Sequence, residues 1–131
     1  MIDLVGTWEL VGIDDRKQDG TPMPQSFGPL AMGFAKFNDQ GRILVAVADG
    51  RAERNPNSER VVYASYAGRY TFDGEILETY MDAGVHMWRN LPEHKLSRTA
   101  RFDGELLILK LPTEVIEGVP TERDVKWRKI I

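Results

Sequence analysis

The chain of 131 residues has no cysteine, two histidines and no large excess of charge of either sign. The lack of cysteine excludes disulfides, thiolate nucleophiles and cysteine-ligated zinc, and it fits a reducing compartment. A formal net charge of -3, with arginine and lysine scattered along the chain, provides no basic field for a phosphate backbone, so we expect no nucleic-acid partner. Hydrophobic residues make up 42% of the chain, which excludes a disordered or fibrous protein.

Long apolar runs are also missing. No segment approaches the ~20 apolar residues that a membrane-spanning helix needs, and Met1 to Gly6 form neither the basic nor the apolar region of a signal peptide. We therefore expect a cytoplasmic protein without a membrane span. A chain of this length buries roughly two thirds of its unfolded surface in one core, so residues 1–131 are predicted to form a single domain.

What the sequence does contain is a repeated turn phrase. Phe72 to Leu77 reads FDGEIL, Phe102 to Leu107 reads FDGELL, and Phe37 to Leu44 is a looser copy, FNDQGRIL. Asp-Gly between two apolar runs favours a two-residue type I′ hairpin turn, because Asp and Gly tolerate positive φ best. Three such hairpins predict an all-β chain of consecutive antiparallel strands, which buries its apolar faces by closing into a barrel or by folding into a sandwich.

The segments between the hairpins complete the prediction. Strands are expected at Trp8 to Ile13 and, near the C-terminus, at about 123–129. Residues 14–29 are rich in Asp, Gly and Pro, which indicates a long loop across one end of the structure. A short helix is predicted from Asn57 or Ser58, either of which is a suitable N-cap, to about residue 63.

Alternation along the strands assigns side chains to faces. If Phe72 faces Glu75 across the turn, one face of that hairpin carries Tyr66, Gly68, Tyr70, Leu77, Thr79 and Met81. The same rule places Arg98 among leucines, on one face with Leu96, Leu107, Leu109 and Leu111. Apolar side chains are left facing outward at Val11, Ile13, Leu106 and Ile108. Either these side chains pair across a homodimer interface or the predicted register is wrong.

Several phrases, in this order, resemble the lipocalin-like domain proteins of bacteria and fungi over nearly the whole chain. They are Leu4 to Val11 with Gly6-Thr7-Trp8, Phe27-Gly28-Pro29 before Gly33-Phe34, Tyr66-Ala67-Gly68-Arg69-Tyr70, Arg98 ahead of Phe102-Asp103-Gly104, and Trp127. The resemblance implies an up-and-down antiparallel barrel of eight to ten strands around a central cavity. It brings no catalytic residues with it, and the position where family members often have a His is Thr79 here.

The predicted function is the binding of a small, largely apolar molecule with an anionic or carbonyl end inside such a barrel, without a cofactor. Arg98 is expected to meet the polar end, because a guanidinium cannot shed its charge and needs an anionic or multiply hydrogen-bonded partner. The alternative is an internal acid, with Glu9, Asp14 and Glu78 as candidates. The predicted ligand-binding residues are Trp8, Tyr66, Tyr70, Leu77, Thr79, Met81, Trp88 and Arg98. Trp8 is also expected to close one end of the barrel beneath the side chain of Arg128 or Lys129.

An alternative function is a cofactor-independent isomerase, cyclase or lyase acting on a hydrophobic molecule in the same cavity. Tyr66 or Tyr70 would then be the general acid, Arg98 would stabilise a developing enolate or carboxylate, and His86 would be the base. A third possibility is a barrel with a filled interior. The two histidines, His86 and His94, lie in the long loop 83–94 at a spacing that matches no familiar zinc site, so no metal is expected.

Overall fold

The computed structural model describes residues 3–23, 27, 30–50, 63–85, 92–116 and 118–130. These residues form nine β-strands and one 3₁₀ turn, and they contain no α-helix. The strands are β1 (Gly6–Lys17), β2 (Ala31–Phe37), β3 (Arg42–Asp49), β4 (Tyr63–Phe72), β5 (Ile76–Val85), β6 (Lys95–Asp103), β7 (Leu106–Lys110), β8 (Glu114–Ile116) and β9 (Val119–Lys129), with the 3₁₀ turn at Pro92–His94. The helix predicted at 57–63 falls on residues outside those described, except that Tyr63 begins β4.

The strands close into an antiparallel barrel. Each of β1 to β6 pairs with the next strand along the chain, β7 pairs with β9, and β9 pairs with β1. The short strand β8 lies along the same edge of β9 as β7 and continues its line, since Lys110 pairs with Asp124 and Glu114 with Thr121. The result is an eight-stranded barrel with one extra strand. This confirms the predicted barrel and excludes the sandwich.

Both FDGE hairpins form, but their strands pair two residues further along than predicted, and the turns are not of type I′, since neither Asp73 nor Asp103 has a positive φ. Phe72 pairs with Leu77 rather than with Glu75. The reason is local: the Asp73 carboxylate accepts hydrogen bonds from the backbone N–H groups of Glu75 (2.9 Å) and Ile76 (2.6 Å), which lengthens the turn. The second hairpin shifts in the same way, because Phe102 pairs with Leu107. A slip of two residues keeps the side chains next to these turns on their predicted faces, and the β4–β5 register shifts once more between Ala67 and Gly68.

The predicted alternation in β1 is wrong beyond Leu10. The pairing with β9 shifts register between Leu10 and Gly12, so that one extra residue is accommodated in β1. This bulge turns Ile13 and Asp15 into the barrel, where they are 8% and 3% exposed. Ile13 is therefore an inward residue of the core and not part of an outer dimer surface.

Ile108 does face outward as predicted, yet it is only 2% exposed within one chain. Its direct neighbours in the sheet are Arg101 on β6 and Lys126 on β9, both long side chains with apolar stems. Arg101 also forms an ion pair of 3.5 Å with Asp124 of β9. Neighbouring strands of the same chain thus cover Ile108, and its burial requires no partner. A homodimer stays a prediction.

The barrel has a turn end and a loop end. The turn end carries the connections at 38–41, 73–75 and 104–105, and the loop end carries those at 18–30, 50–62, 86–94 and 111–113. Trp8 is buried at the turn end, where its indole N–H donates to the carbonyl of Leu4 at 2.9 Å. The Lys129 ammonium lies 5.7 Å from the centre of its ring, which confirms the predicted cation–π contact.

Candidate functional site

The loop-end half of the barrel contains a small, partly open cavity. Its volume is about 70 Å³, and its wall is apolar apart from Tyr66, Arg98 and Arg123. A volume of this size is well below the ~300–1,000 Å³ of drug-sized sites. The lining residues come from β1, β3, β4, β6, β7, β9 and the connections 18–30 and 111–113: Ile13, Phe27, Val45, Val47, Ala64, Tyr66, Leu96, Arg98, Leu109, Leu111, Arg123, Val125 and Trp127.

Arg98 is held across the inner face of three strands. It projects inward from β6, is 7% exposed, and donates from Nη1 to the hydroxyl of Tyr66 on β4 at 2.9 Å. Its Nη2 donates to Oγ1 of Thr79 on β5 at 2.6 Å. Two hydrogen bonds from one planar guanidinium fix its direction as well as its position. The register predicts this arrangement, because inward residues of β4, β5 and β6 share one wall of the barrel.

The guanidinium of Arg98 places a positive charge at this wall of the cavity. Tyr66 and Thr79 accept its hydrogen bonds with neutral hydroxyl oxygens. A guanidinium among apolar side chains acts in a low dielectric, where its attraction for an anion is much stronger than in water. An anion or a carbonyl oxygen that enters the cavity would lower the free energy of keeping this charge buried.

A second guanidinium reaches the cavity from the opposite wall. Arg123 of β9 donates from Nε to Oδ1 of Asp15 at 2.5 Å, and the side chain of Asp15 is 2% exposed. Sequence reasoning missed this pair, because it depends on the bulge in β1. The signal was Gly12, since a glycine within a strand often marks a bulge.

The three acids predicted as possible partners of Arg98 form ion pairs elsewhere, on the outer face of the barrel. Their partners are Arg128 for Glu9 (2.7 Å), Lys126 for Asp14 (2.6 Å) and Lys95 for Glu78 (2.5 Å). Each acid faces outward, which agrees with the alternation for Glu9 and Glu78. The buried acid of the described barrel interior is therefore Asp15, and it lies with Arg123.

Two aromatic residues complete the wall. Trp127 is 4% exposed and lines the cavity from β9, and its indole nitrogen has no hydrogen-bond acceptor among the described residues. Phe27, which is 8% exposed, covers the cavity from the connection at the loop end. Neither residue was among the predicted ligand contacts, although alternation had placed Trp127 on one face with Val125.

Of the predicted ligand-binding residues, Tyr66 and Arg98 line the cavity, and Thr79 contacts Arg98 without lining it. Leu77 and Met81 are buried in the same core but do not line the cavity. Trp8 and Tyr70 lie at the turn end, away from it. The hydroxyl of Tyr70 donates to the carbonyl of Asn38 at 2.7 Å, and burial raises the pKa of Tyr70.

The candidate residues of the long loop fall largely on undescribed positions. His86, the proposed base, and Trp88, the proposed rim residue, both lie outside the described residues. His94 is exposed in the 3₁₀ turn, with a φ of 50°. Within the described ranges, no group of three or more histidine and acidic side chains is placed to hold a metal ion.

No described helix is both long and apolar enough to cross a membrane. Comparison with known proteins adds no family: neither a protein-family model nor the sequence of a curated protein matches this chain. The geometry of the barrel interior therefore carries the functional argument.

Proposed function

We propose that this protein is a lipocalin-like barrel that binds a small, largely apolar molecule with an anionic or carbonyl end inside the cavity. The observation that carries the proposal is the placement of Arg98, a buried guanidinium that lines an apolar cavity and is oriented by Tyr66 and Thr79. Binding sites commonly combine apolar walls with a few oriented polar groups in this way. The sequence resemblance described above supports the same function.

The volume of the cavity limits the ligand. At about 70 Å³, the cavity accepts a short aliphatic chain rather than a polycyclic or long-chain molecule. The polar end is expected to accept hydrogen bonds, since the guanidinium of Arg98 has donors and no acceptor. A short-chain carboxylate satisfies both requirements, and a short ketone satisfies them with a weaker interaction.

Isothermal titration with four molecules of equal chain length tests the proposal. Hexanoate is expected to bind, hexanamide and hexanol more weakly, and hexylamine not at all. In the Arg98→Met variant, which keeps much of the side-chain volume, the affinity for hexanoate should fall about tenfold or more, because hydrogen bonds to charged groups contribute ~1.5–3 kcal/mol.

The matched control is Arg69→Met. Arg69 lies on the outer face of β4, with its guanidinium 4.0 Å above the ring of Tyr80, and is exposed. This variant should bind hexanoate like the parent protein. Equal affinities for hexanoate and hexylamine in the parent protein would exclude the proposed role of Arg98.

A cofactor-independent enzyme is the second candidate, and one contact favours it. The phenol of Tyr66 lies 2.9 Å from Nη1 of Arg98 at the cavity wall, so an acid and a stabilising cation are adjacent. Mass spectrometry of the protein purified from its own host identifies bound compounds. Incubating each compound with the protein and following it by NMR separates the two functions, because an enzyme converts its ligand and a carrier returns it unchanged.

A further inference from the structure

The barrel wall opens between β6 and β7. The ladder between these strands joins Asp103 to Leu106 at the turn end and stops at the pair Thr99 and Lys110. In the described part of the chain, residues 95–98 of β6 pair with β5 alone. The loop-end half of β6 therefore has a strand neighbour on one side only.

Proline explains why the ladder stops. The backbone N–H of Leu111 donates to the carbonyl of Arg123 on β9 at 3.0 Å. Successive N–H groups of an extended chain point to opposite sides, so the next one directed towards β6 belongs to residue 112. That residue is proline, which has no N–H. The chain after Lys110 thus stays with β9 and separates from β6.

A cleft occupies the gap. Its volume is about 340 Å³, larger than the cavity, and it is lined by Ile76, Ser97, Arg98, Thr99, Lys110, Leu111 and Pro112. Arg98 and Leu111 line both the cleft and the cavity. The two residues therefore lie at the boundary between the cleft and the cavity.

The chemistry of the cleft differs from that of the cavity. Its polar groups are the hydroxyls of Ser97 and Thr99 and the ammonium of Lys110, whereas the guanidinium of Arg98 is directed towards Tyr66 and Thr79. The side chain of Lys110 is 41% exposed, and its Nζ lies 3.4 Å from Glu122. One cation and two hydroxyls suit a carboxylate, whereas the apolar cavity behind Leu111 suits an aliphatic chain.

We propose that this cleft is the lateral entrance to the cavity and the binding site of the ligand's carboxylate. This inference rests on the proposed binding function. An aliphatic carboxylate enters between β6 and β7 with its chain first, passes Leu111, and leaves its charged end beside Arg98 and Lys110. Phe27 lines the cavity at the loop end, whereas Leu111 lines both the cavity and the cleft in the side of the barrel.

The entrance is tested by binding kinetics with hexanoate, measured by ligand relaxation NMR. Leu111→Phe enlarges a side chain at the passage and should reduce the association rate constant by about tenfold, within the range over which such mutants vary. Because Leu111 also lines the cavity, the dissociation constant should rise as well, and the association rate constant is the readout of the passage. Val115→Phe is the control, since Val115 is 67% exposed on β8.

A second variant blocks the cleft without changing Leu111. Because the chain has no cysteine, Ser97→Cys provides a single thiol at the cleft. Labelling it with fluorescein maleimide should slow hexanoate exchange as Leu111→Phe does. The same label on Thr71→Cys, at an exposed position on the outer face of β4, should have no effect.

The Lys110→Gln variant tests whether the carboxylate binds in the cleft. The dissociation constant for hexanoate should rise several-fold while that for hexanol stays the same, and Lys36→Gln on the outer face of β2 should change neither. If labelling of Ser97→Cys leaves the hexanoate exchange rates unchanged, the cleft is not the entrance, although the proposed binding function still holds. A parent protein that binds no hexanoate would overturn both.

Discussion

The carboxylate of Asp15 and the guanidinium of Arg123 lie 2.5 Å apart on the inner face of the barrel, at the seam where β1 meets β9. The two residues are direct partners in the β1–β9 ladder. The side chain of Asp15 is 2% exposed and that of Arg123 is 17% exposed, so water screens the pair weakly. This ion pair joins the first and last strands of the barrel beside the cavity.

Replacing Asp15 by Asn should destabilise the fold substantially. The variant leaves the guanidinium of Arg123 buried without this carboxylate, and breaking a buried pair in this way costs about 3–5 kcal/mol. We expect the lower part of that range because Arg123 keeps some contact with water. Urea denaturation measures the free energy of unfolding.

Asp14→Asn is the control for that experiment. Asp14 pairs with Lys126 on the outer face, where the two side chains are 54% and 34% exposed. Exposed pairs contribute about 0–1 kcal/mol, so this variant should remain close to the parent in stability. If both variants lose the same free energy of unfolding, burial does not make the ion pair of Asp15 with Arg123 stronger than the exposed pair.

The two inward tyrosines of β4 should respond differently to removal of their hydroxyls. Tyr66→Phe removes an acceptor of Arg98 and should weaken hexanoate binding about two- to tenfold, the equivalent of an ordinary hydrogen bond. Tyr70→Phe should leave hexanoate affinity unchanged and cost about 0.5–1.5 kcal/mol of stability through the lost bond to Asn38. Titration calorimetry and urea denaturation separate the two effects, and a weaker affinity in Tyr70→Phe would contradict the assigned site.

Two glycines within strands should differ sharply in their tolerance of alanine. A Cβ on Gly68 would collide with the backbone carbonyl of Tyr80 on β5, whereas a Cβ on Gly12 has no atom within 4 Å. Gly68→Ala should therefore cost about 1–3 kcal/mol, as overpacking usually does. Gly12→Ala should change stability by less than about 0.5 kcal/mol or increase it slightly. Thermal unfolding of both variants provides the comparison.

The β4–β5 turn should make stability depend on acid pH. Hydrogen bonds from the N–H groups of Ile76 and Glu75 lower the pKa of Asp73 below its usual value of 3.8. A lowered folded-state pKa contributes stability above the unfolded value and loses it as the pH falls through the folded value. Asp73→Asn should remove this part of the pH dependence below about pH 4. Urea denaturation of the parent protein and of Asp73→Asn at decreasing pH measures the free energy of unfolding. If the turn contributes nothing, the two plots of this free energy against pH will be parallel.

The fold followed from the sequence because its signals were local. The FDGE phrases marked two hairpins, and a shift of two residues in each left the faces intact, so that Thr79 and Arg98 were correctly placed inside. Alternation specifies a face but not a height along the barrel axis. Tyr66 and Tyr70 were therefore equivalent in the sequence, although only Tyr66 reaches the cavity.

The rest of the site depended on interruptions of regular pairing. Asp15 belonged to the predicted loop 14–29, but β1 continues to Lys17, and its bulge turns Asp15 inward. No alternation rule anticipates an inserted residue. The sequence shows that Pro112 can interrupt a strand. It does not show that the ladder with β6 is the one interrupted, because that depends on the N–H of Leu111 pairing with β9. The contact between Asp15 and Arg123 joins residues far apart in the chain, and local patterns do not report such pairs.

Closure of the barrel by β1 and β9 also bears on how the chain folds. β1 cannot pair with β9 until the last strand has been synthesised. The β1–β9 ladder therefore joins the two strands of the barrel that are most distant in sequence. Folds dominated by such distant pairings reach the native state slowly. During synthesis, the unpaired edge of β1 would remain exposed to other strands, which makes this edge the expected starting point for misassembly.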